Sequence, residues 1–308
     1  MMFGLNESFD YLECSSCGCL QIIDIPVNMD KYYPSNYYSL QRAKSQNIIT
    51  NLKKNIIEIL GKERNKYVIF KKGMIGKFIY KNYPNSLFDP TKIFDKVGKI
   101  DINLDSKVLD VGCGHGDFLY KLNRIGFKSL TGIDPYVNNE YRSKQLKILR
   151  RSIDDFNSKN KFDLINFNDS FEHLSSQLKT LLKVSEILSE GGICLIRMPI
   201  KTEYIWSRYG VNWVQIDAPR HFLIHTLNSF DVLVQKTGLN IVDTIFDSTE
   251  FQFWGSEQYK RNITLLDGNM TPNMEIFTKD QIKVFKRHAQ ELNEKKLGDE
   301  ACFYLSNP

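Results

Sequence analysis

Gly112, Gly114 and Gly116 stand at alternate positions directly after an apolar run that contains Asp110. Glycine allows the sharp backbone turn and the close approach of a ligand to the main chain. The residues that follow, with Phe118, Leu119, Leu122 and Ile125 at helical spacing, predict a helix whose N-terminus offers free N–H groups and a partial positive charge. Asp134 closes the next apolar run, 24 residues after Asp110. A carboxylate placed there can accept both hydroxyls of a ribose through its two oxygens. Asp134-Pro135 alone reads equally well as a turn, but behind that loop the ligand reading prevails. Further on stand Glu172-His173 and VNWVQIDAPRHFLIHT (211–226), with Trp213, Asp217, Arg220, His221 and His225, residues able to orient a substrate and move a proton.

These groups need a scaffold, and the pattern from 107 onward supplies one. Short apolar runs at 107–113, 129–135, 146–152, 162–169, 193–199 and 240–248 read as strands. Helices are expected between them: one capped by Gly126, a polar one near 138–146, one ending at Gly191 and Gly192, and one over 228–237 capped by Gly238. A last run, 299–306, is expected to pair antiparallel with the sixth strand. The expected fold is α/β: a Rossmann-like sheet of seven strands, mostly parallel, with an antiparallel last strand. Three regions follow: a small module at 1–37, a helical region at 38–100, and the main domain at 101–308 with an insertion at 249–298. Within the second, helices are expected over 38–62 and 91–97.

The segment VLDVGCGHGDF has the spacing G-x-G-x-G rather than the G-x-G-x-x-G of dinucleotide enzymes. With FDLINFNDSFEHL and GGICLIRMP downstream, it resembles class I S-adenosylmethionine-dependent methyltransferases over about residues 100 to 200. The resemblance implies S-adenosylmethionine as cofactor and a contact set of Asp110, Gly112, Gly114, Gly116, Asp134, Ile153, Asp154 and Asn168, with Asp155 competing for the place of Asp154. The run Asp-Ala-Pro-Arg-His is similar to one in bacterial methyltransferases of glycan and natural-product genes. It implies that Arg220 or His221 meets the acceptor and that a histidine serves as base; the alternative is that both tie down their loop. His173 is a further candidate, structural or on the cofactor side. In the same group an N-terminal zinc module carries two C-x-x-C pairs before a Pro- and Tyr-rich stretch.

Here that module holds Cys14, Cys17 and Cys19 with no fourth ligand nearby. Structural zinc takes four. A degenerate module packed on the main domain is therefore expected rather than zinc at Cys14 and Cys17, and no metal ligands are assigned. Cys113, Cys194 and Cys302 read as small core residues.

The formal charge is +5, with Lys and Arg dense only over 53–81, which reads as a solvated helical surface rather than an RNA site. No apolar stretch is long enough for a membrane span and the N-terminus lacks a signal-peptide pattern, so a cytoplasmic location is expected. The expected activity is methyl transfer to a small or glycan-like acceptor, a sugar hydroxyl first. The rivals are a quinone, lipid or other small metabolite as acceptor, RNA methylation, or a non-catalytic S-adenosylmethionine-binding subunit. An apolar acceptor pocket would favour the quinone or lipid, and a contiguous basic surface the RNA.

Overall fold

A computed structural model describes residues 7–33, 51–83, 102–158, 160–266, 272–274 and 276–308. The chain opens on a hairpin of β1 (Tyr11–Glu13) and β2 (Leu20–Ile22), followed by helices α1 (Asn51–Phe70) and α2 (Met74–Asn82). The expected helix over 38–62 is seen from Asn51 onward; its first part and the one at 91–97 lie outside the described residues.

Val108, Leu109, Leu164, Ile165, Leu195 and Ile196 are completely buried on three strands. Strands apolar on both faces need cover on both sides, and two separate apolar clusters provide it. The strands are β3 (Lys107–Val111), β4 (Ser129–Ile133), β5 (Tyr141–Arg142), β6 (Leu146–Leu149), β7 (Phe162–Asn168), β8 (Leu188–Pro199), β10 (Asn240–Phe246) and β11 (Glu300–Ser306); a short β9 (Leu223–Ile224) lies outside this sheet. The order is β10-β11-β8-β7-β3-β4-β6-β5. Neighbours from β8 to β6 run parallel, whereas β11 is antiparallel to both β8 and β10.

Three expectations are corrected. The sheet has eight strands, not seven, because β5 adds an antiparallel edge to β6. It stands where a polar helix was expected at 138–146; the stretch has no apolar face to hold a helix on the sheet. Gly191 and Gly192 do not cap a helix but lie inside β8, beside a register shift against β7 in which β8 advances five residues while β7 advances two. Of the N-terminal module, residues 7–33 are described, and β2 pairs with β9 to join them to the main domain.

Helices α3 (Asp117–Ile125), α4 (Gln177–Ile187), α5 (Glu203–Tyr209) and α6 (Leu227–Gln235) follow β3, β7, β8 and β9. The insertion carries α7 (Phe251–Lys260) and α8 (Lys279–Glu294), the latter started by a capping box of Thr278 and Gln281. No helix among the described residues is long and apolar enough to cross a membrane.

Candidate active site

β3 is flanked by β4 on one side and β7 on the other, so the strand order reverses there. In open α/β sheets that switch point opens a crevice at the carboxyl ends of the strands. Here it holds a cleft of about 1080 Å³. Asp110, Gly112 and Gly114 line it after β3, Asp134 after β4, Ile153 and Asp154 after β6, and Asn168 at the end of β7. Seven of the eight expected cofactor residues thus come together.

Gly116 is the one that does not line the cleft. Its φ is +83°, and a Cβ there would stand 2.3 Å from Ile148 Cδ1. Its place is the close packing of the α3 N-terminus onto β6. Gly112 has φ +74°, and a Cβ would meet Ser170 Cβ at 2.4 Å. Ser170 Oγ donates to the Val111 carbonyl at 2.7 Å, which locks the loop against the end of β7.

Asp134 is nearly buried and accepts two main-chain N–H groups, Gly114 at 3.0 Å and Tyr136 at 2.8 Å. Burial raises its pKa against those two bonds. Asp110 accepts from Asn166 Nδ2 at 2.7 Å, and burial pushes its pKa up to about 7. Asp154 faces the cleft, whereas Asp155 accepts from Ser152 Oγ at 2.7 Å.

The histidines sit on the opposite wall. His173, in the turn after β7, lines the cleft. Its Nδ1 donates to the Arg220 carbonyl at 2.7 Å, since a carbonyl can only accept. His221 and Arg220 lie one layer behind and do not line the cleft. His221 Nδ1 donates to the Gln215 carbonyl at 2.7 Å, and its ring centre is 4.8 Å from that of His173. The Arg220 guanidinium bonds Asp217 and stands over the Tyr33 ring. These contacts hold the loop 217–221 against His173. Burial lowers both histidine pKa values, that of His173 to about 3 with help from His221.

Glu172, buried beside them, has no hydrogen-bond partner on either carboxylate oxygen among the described residues. Its Oε1 is 3.9 Å from His173 Nε2 and 3.8 Å from His221 Nε2. Burial, then the charge of Asp169, raises its pKa well above the usual range. Glu172, His173 and His221 form one group able to hold a metal ion, and Cys14, Cys17 and Cys19 form another, where no metal ligands were expected.

Trp213, expected on the acceptor side, is instead core: its indole N–H donates to Asp299 at 2.9 Å. His225 is likewise buried, between Ser229 and Gln177. Of the expected core cysteines, Cys194 and Cys302 are buried, and Cys113 lines the cleft half-buried.

Some cleft residues carried no distinct sequence expectation. Arg197 bonds three carboxylates, Asp169, Asp247 and Glu300. A charge inside the apolar run ICLIRMP was its only signal. Tyr33 reaches the cleft from the N-terminal module and stacks on Tyr136 at 5.4 Å. Lys286 and Gln290 of α8 complete the wall facing β8 and β10.

A family model described as a methyltransferase domain matches residues 84–244, over half of the chain. A tRNA U34 carboxymethyltransferase of Helicobacter acinonychis (strain Sheeba) is 33% identical over 120 residues, which is 35% of this chain and 46% of that protein. A mitochondrial ubiquinone biosynthesis O-methyltransferase of Dictyostelium discoideum is 28% identical over 151 residues, 41% of this chain and 47% of that one. The chain thus spans under half the length of these relatives. A SAM dependent methyltransferase from Archaeoglobus fulgidus superposes with a TM-score of 0.44 at 16% identity, covering 74% of this chain and 98% of that one. The chain belongs to the methyltransferase-domain family, the class I S-adenosylmethionine-dependent methyltransferases.

Proposed function

We propose that this protein transfers a methyl group from S-adenosylmethionine to a small, polyhydroxylated acceptor, a sugar hydroxyl of surface-glycan biosynthesis being the best match. The residues present fit the cofactor. The buried carboxylate of Asp110 and the α3 N-terminus suit its ammonium and carboxylate, Asp134 its ribose, and Ile153 with Asp154 its adenine. Ligand pockets commonly span about 300–1,000 Å³, so a cleft of this size also leaves room for an acceptor. When bound, S-adenosylmethionine supplies an activated methyl on a sulfonium; the chain must align the acceptor and exclude water.

The observation that carries the acceptor class is the polarity of the free half of the cleft. Its wall includes Asp169, Arg197, Asp247, Thr249, Glu250, Lys286 and Gln290. Such a wall matches hydroxyl groups better than the apolar ring and tail of a quinone. It does not resemble an RNA surface either, since Asp169, Asp247 and Glu250 stand with Arg197 and Lys286 in its lining. His173 is the group placed to draw the proton from the acceptor hydroxyl. With its Nδ1 proton held by the Arg220 carbonyl, the lone pair is on Nε2. The buried Glu172 carboxyl lies 3.9 Å from that same nitrogen, and Arg220 and His221 act through His173 as positioning residues.

Calorimetry with S-adenosylmethionine is the first test, with Gly114→Arg as the blocked control. Micromolar binding that the variant loses supports the reading, and radiolabelled methyl transfer to nucleotide sugars then tests the acceptor. A folded protein that binds nothing would end the proposal. Binding without transfer to any hydroxylated acceptor would point to a non-catalytic subunit.

A further inference from the structure

Helix α2 has two apolar faces, and among the described residues only one is packed. At 100° per residue, Gly76, Ile79 and Tyr80 share the face turned to α1. Gly76 is buried there so closely that a Cβ would stand 2.3 Å from the Glu63 carbonyl oxygen. Met74, Ile75 and Phe78 share the opposite face and are 88%, 66% and 70% exposed. Lys77 and Lys81 flank that second face on one side, and Lys71 and Lys72 precede it.

The segment that carries this face is strongly basic in sequence. Residues 51–83 contain eight Lys and one Arg against two Glu, a net +7 in a chain whose whole formal charge is +5. The rest of the chain therefore carries −2. The α1–α2 pair is also held firmly by the main domain. Val68 of α1 is completely buried, and Phe70 packs on Phe127, just past the helix that follows the glycine loop.

We propose that α2 is a docking face for an anionic lipid surface, with Met74, Ile75 and Phe78 entering the headgroup boundary and the lysines pairing with lipid phosphates. An exposed apolar stripe bordered by lysine is what an interfacial helix presents to a bilayer. RNA would be met by arginine and stacking aromatic rings; this face offers one Phe among aliphatic chains, and its cations are almost all Lys. The docking face is separate from the cleft and does not depend on the acceptor proposed above. It would hold the enzyme at a membrane surface without a span.

The test is co-sedimentation of the full chain with vesicles of phosphatidylcholine alone or mixed with phosphatidylglycerol. The expected result is binding to the anionic vesicles that weakens at least tenfold in high salt. Ile75→Ser with Phe78→Ser, and separately Lys77→Glu with Lys81→Glu, should each weaken it at least tenfold. All four positions are exposed, so thermal unfolding and cofactor affinity should not change, and these measurements verify the fold. No binding to anionic vesicles would overturn the proposal. So would binding that both double variants keep, or equal binding to neutral vesicles. Capture of RNA but not of vesicles would assign the basic hairpin to nucleic acid and overturn it as well.

Discussion

Asp134 accepts the Gly114 N–H at 3.0 Å, so the carboxylate that closes β4 holds the middle of the glycine loop. The residue we propose for the ribose therefore also shapes the loop we propose for the aminoacyl group. Replacing it does two things at once. In Asp134→Asn the amide nitrogen faces one of two N–H donors it cannot accept, and a buried donor without a partner costs about 1–3 kcal/mol. We predict about a tenfold to hundredfold loss of S-adenosylmethionine affinity, with a small loss of thermal stability. Titration calorimetry and thermal unfolding on the same preparation measure both. Unchanged affinity would remove Asp134 from the site.

Gly116→Ala should act on the fold before it acts on the ligand. The new Cβ would meet Ile148 Cδ1 at 2.3 Å, in a backbone of φ +83°. Overpacking and left-handed strain each cost on the order of 1–3 kcal/mol. Ile148→Val removes the clashing carbon, so the double variant should regain part of that stability. Urea denaturation of the four proteins in the cycle gives the coupling. Strict additivity would mean that the two residues do not meet as described.

Much of this site was readable from residue types and spacing. The glycine loop, Asp134 and the strand after it are local features whose chemistry depends on their neighbours in sequence. Trp213, Arg220 and His221 were harder, because a polar or aromatic residue in a loop carries no mark of which layer it occupies. Trp213 turned inward because Asp299, 86 residues away, takes its N–H. The loop 217–221 is wound so that the Arg220 carbonyl takes the His173 Nδ1 proton while the His221 ring meets that of His173 edge-on. Tyr33 reaches the cleft only because β2 pairs with β9, a contact across 200 residues that no periodicity could announce. The eighth strand was missed for the opposite reason: two residues are too few to make a pattern.

The pH dependence of stability follows from Asp110. Its folded pKa is raised, by burial, to about 7 from the ordinary 3.8. The unfolded chain gives up this proton first, so the contribution is full below about pH 4 and is lost as pH rises to about 7. Asp110→Asn cannot ionise and can still accept from Asn166. We predict that wild type loses stability relative to this variant across that window, by up to about 1.4 kcal/mol per pH unit. Urea midpoints at four pH values suffice. A constant difference between the two proteins would show that Asp110 ionises normally in the fold.

Arg197 separates a structural need from an acceptor contact. Its guanidinium bonds Asp169 at 2.8 and 2.9 Å and Asp247 at 2.8 Å, and also bonds Glu300. The cluster is part-buried, with the Asp169 and Asp247 side chains 40% and 31% exposed, so removing the guanidinium costs about 1–3 kcal/mol through the carboxylates left without their partner. Arg197→Met should therefore unfold at a much lower urea concentration. Arg197→Lys keeps the charge but offers a single ammonium where a planar fork now meets three carboxylates, so it should be intermediate. The informative comparison is at a temperature where Arg197→Lys is fully folded. If Arg197 only braces β8, β10 and β11, methyl transfer by that variant keeps its acceptor KM. If the guanidinium also faces the acceptor, KM rises while S-adenosylmethionine affinity stays the same. The lining of the cleft favours the second outcome, since Asp169, Arg197 and Asp247 all line the part of it that we propose for the acceptor.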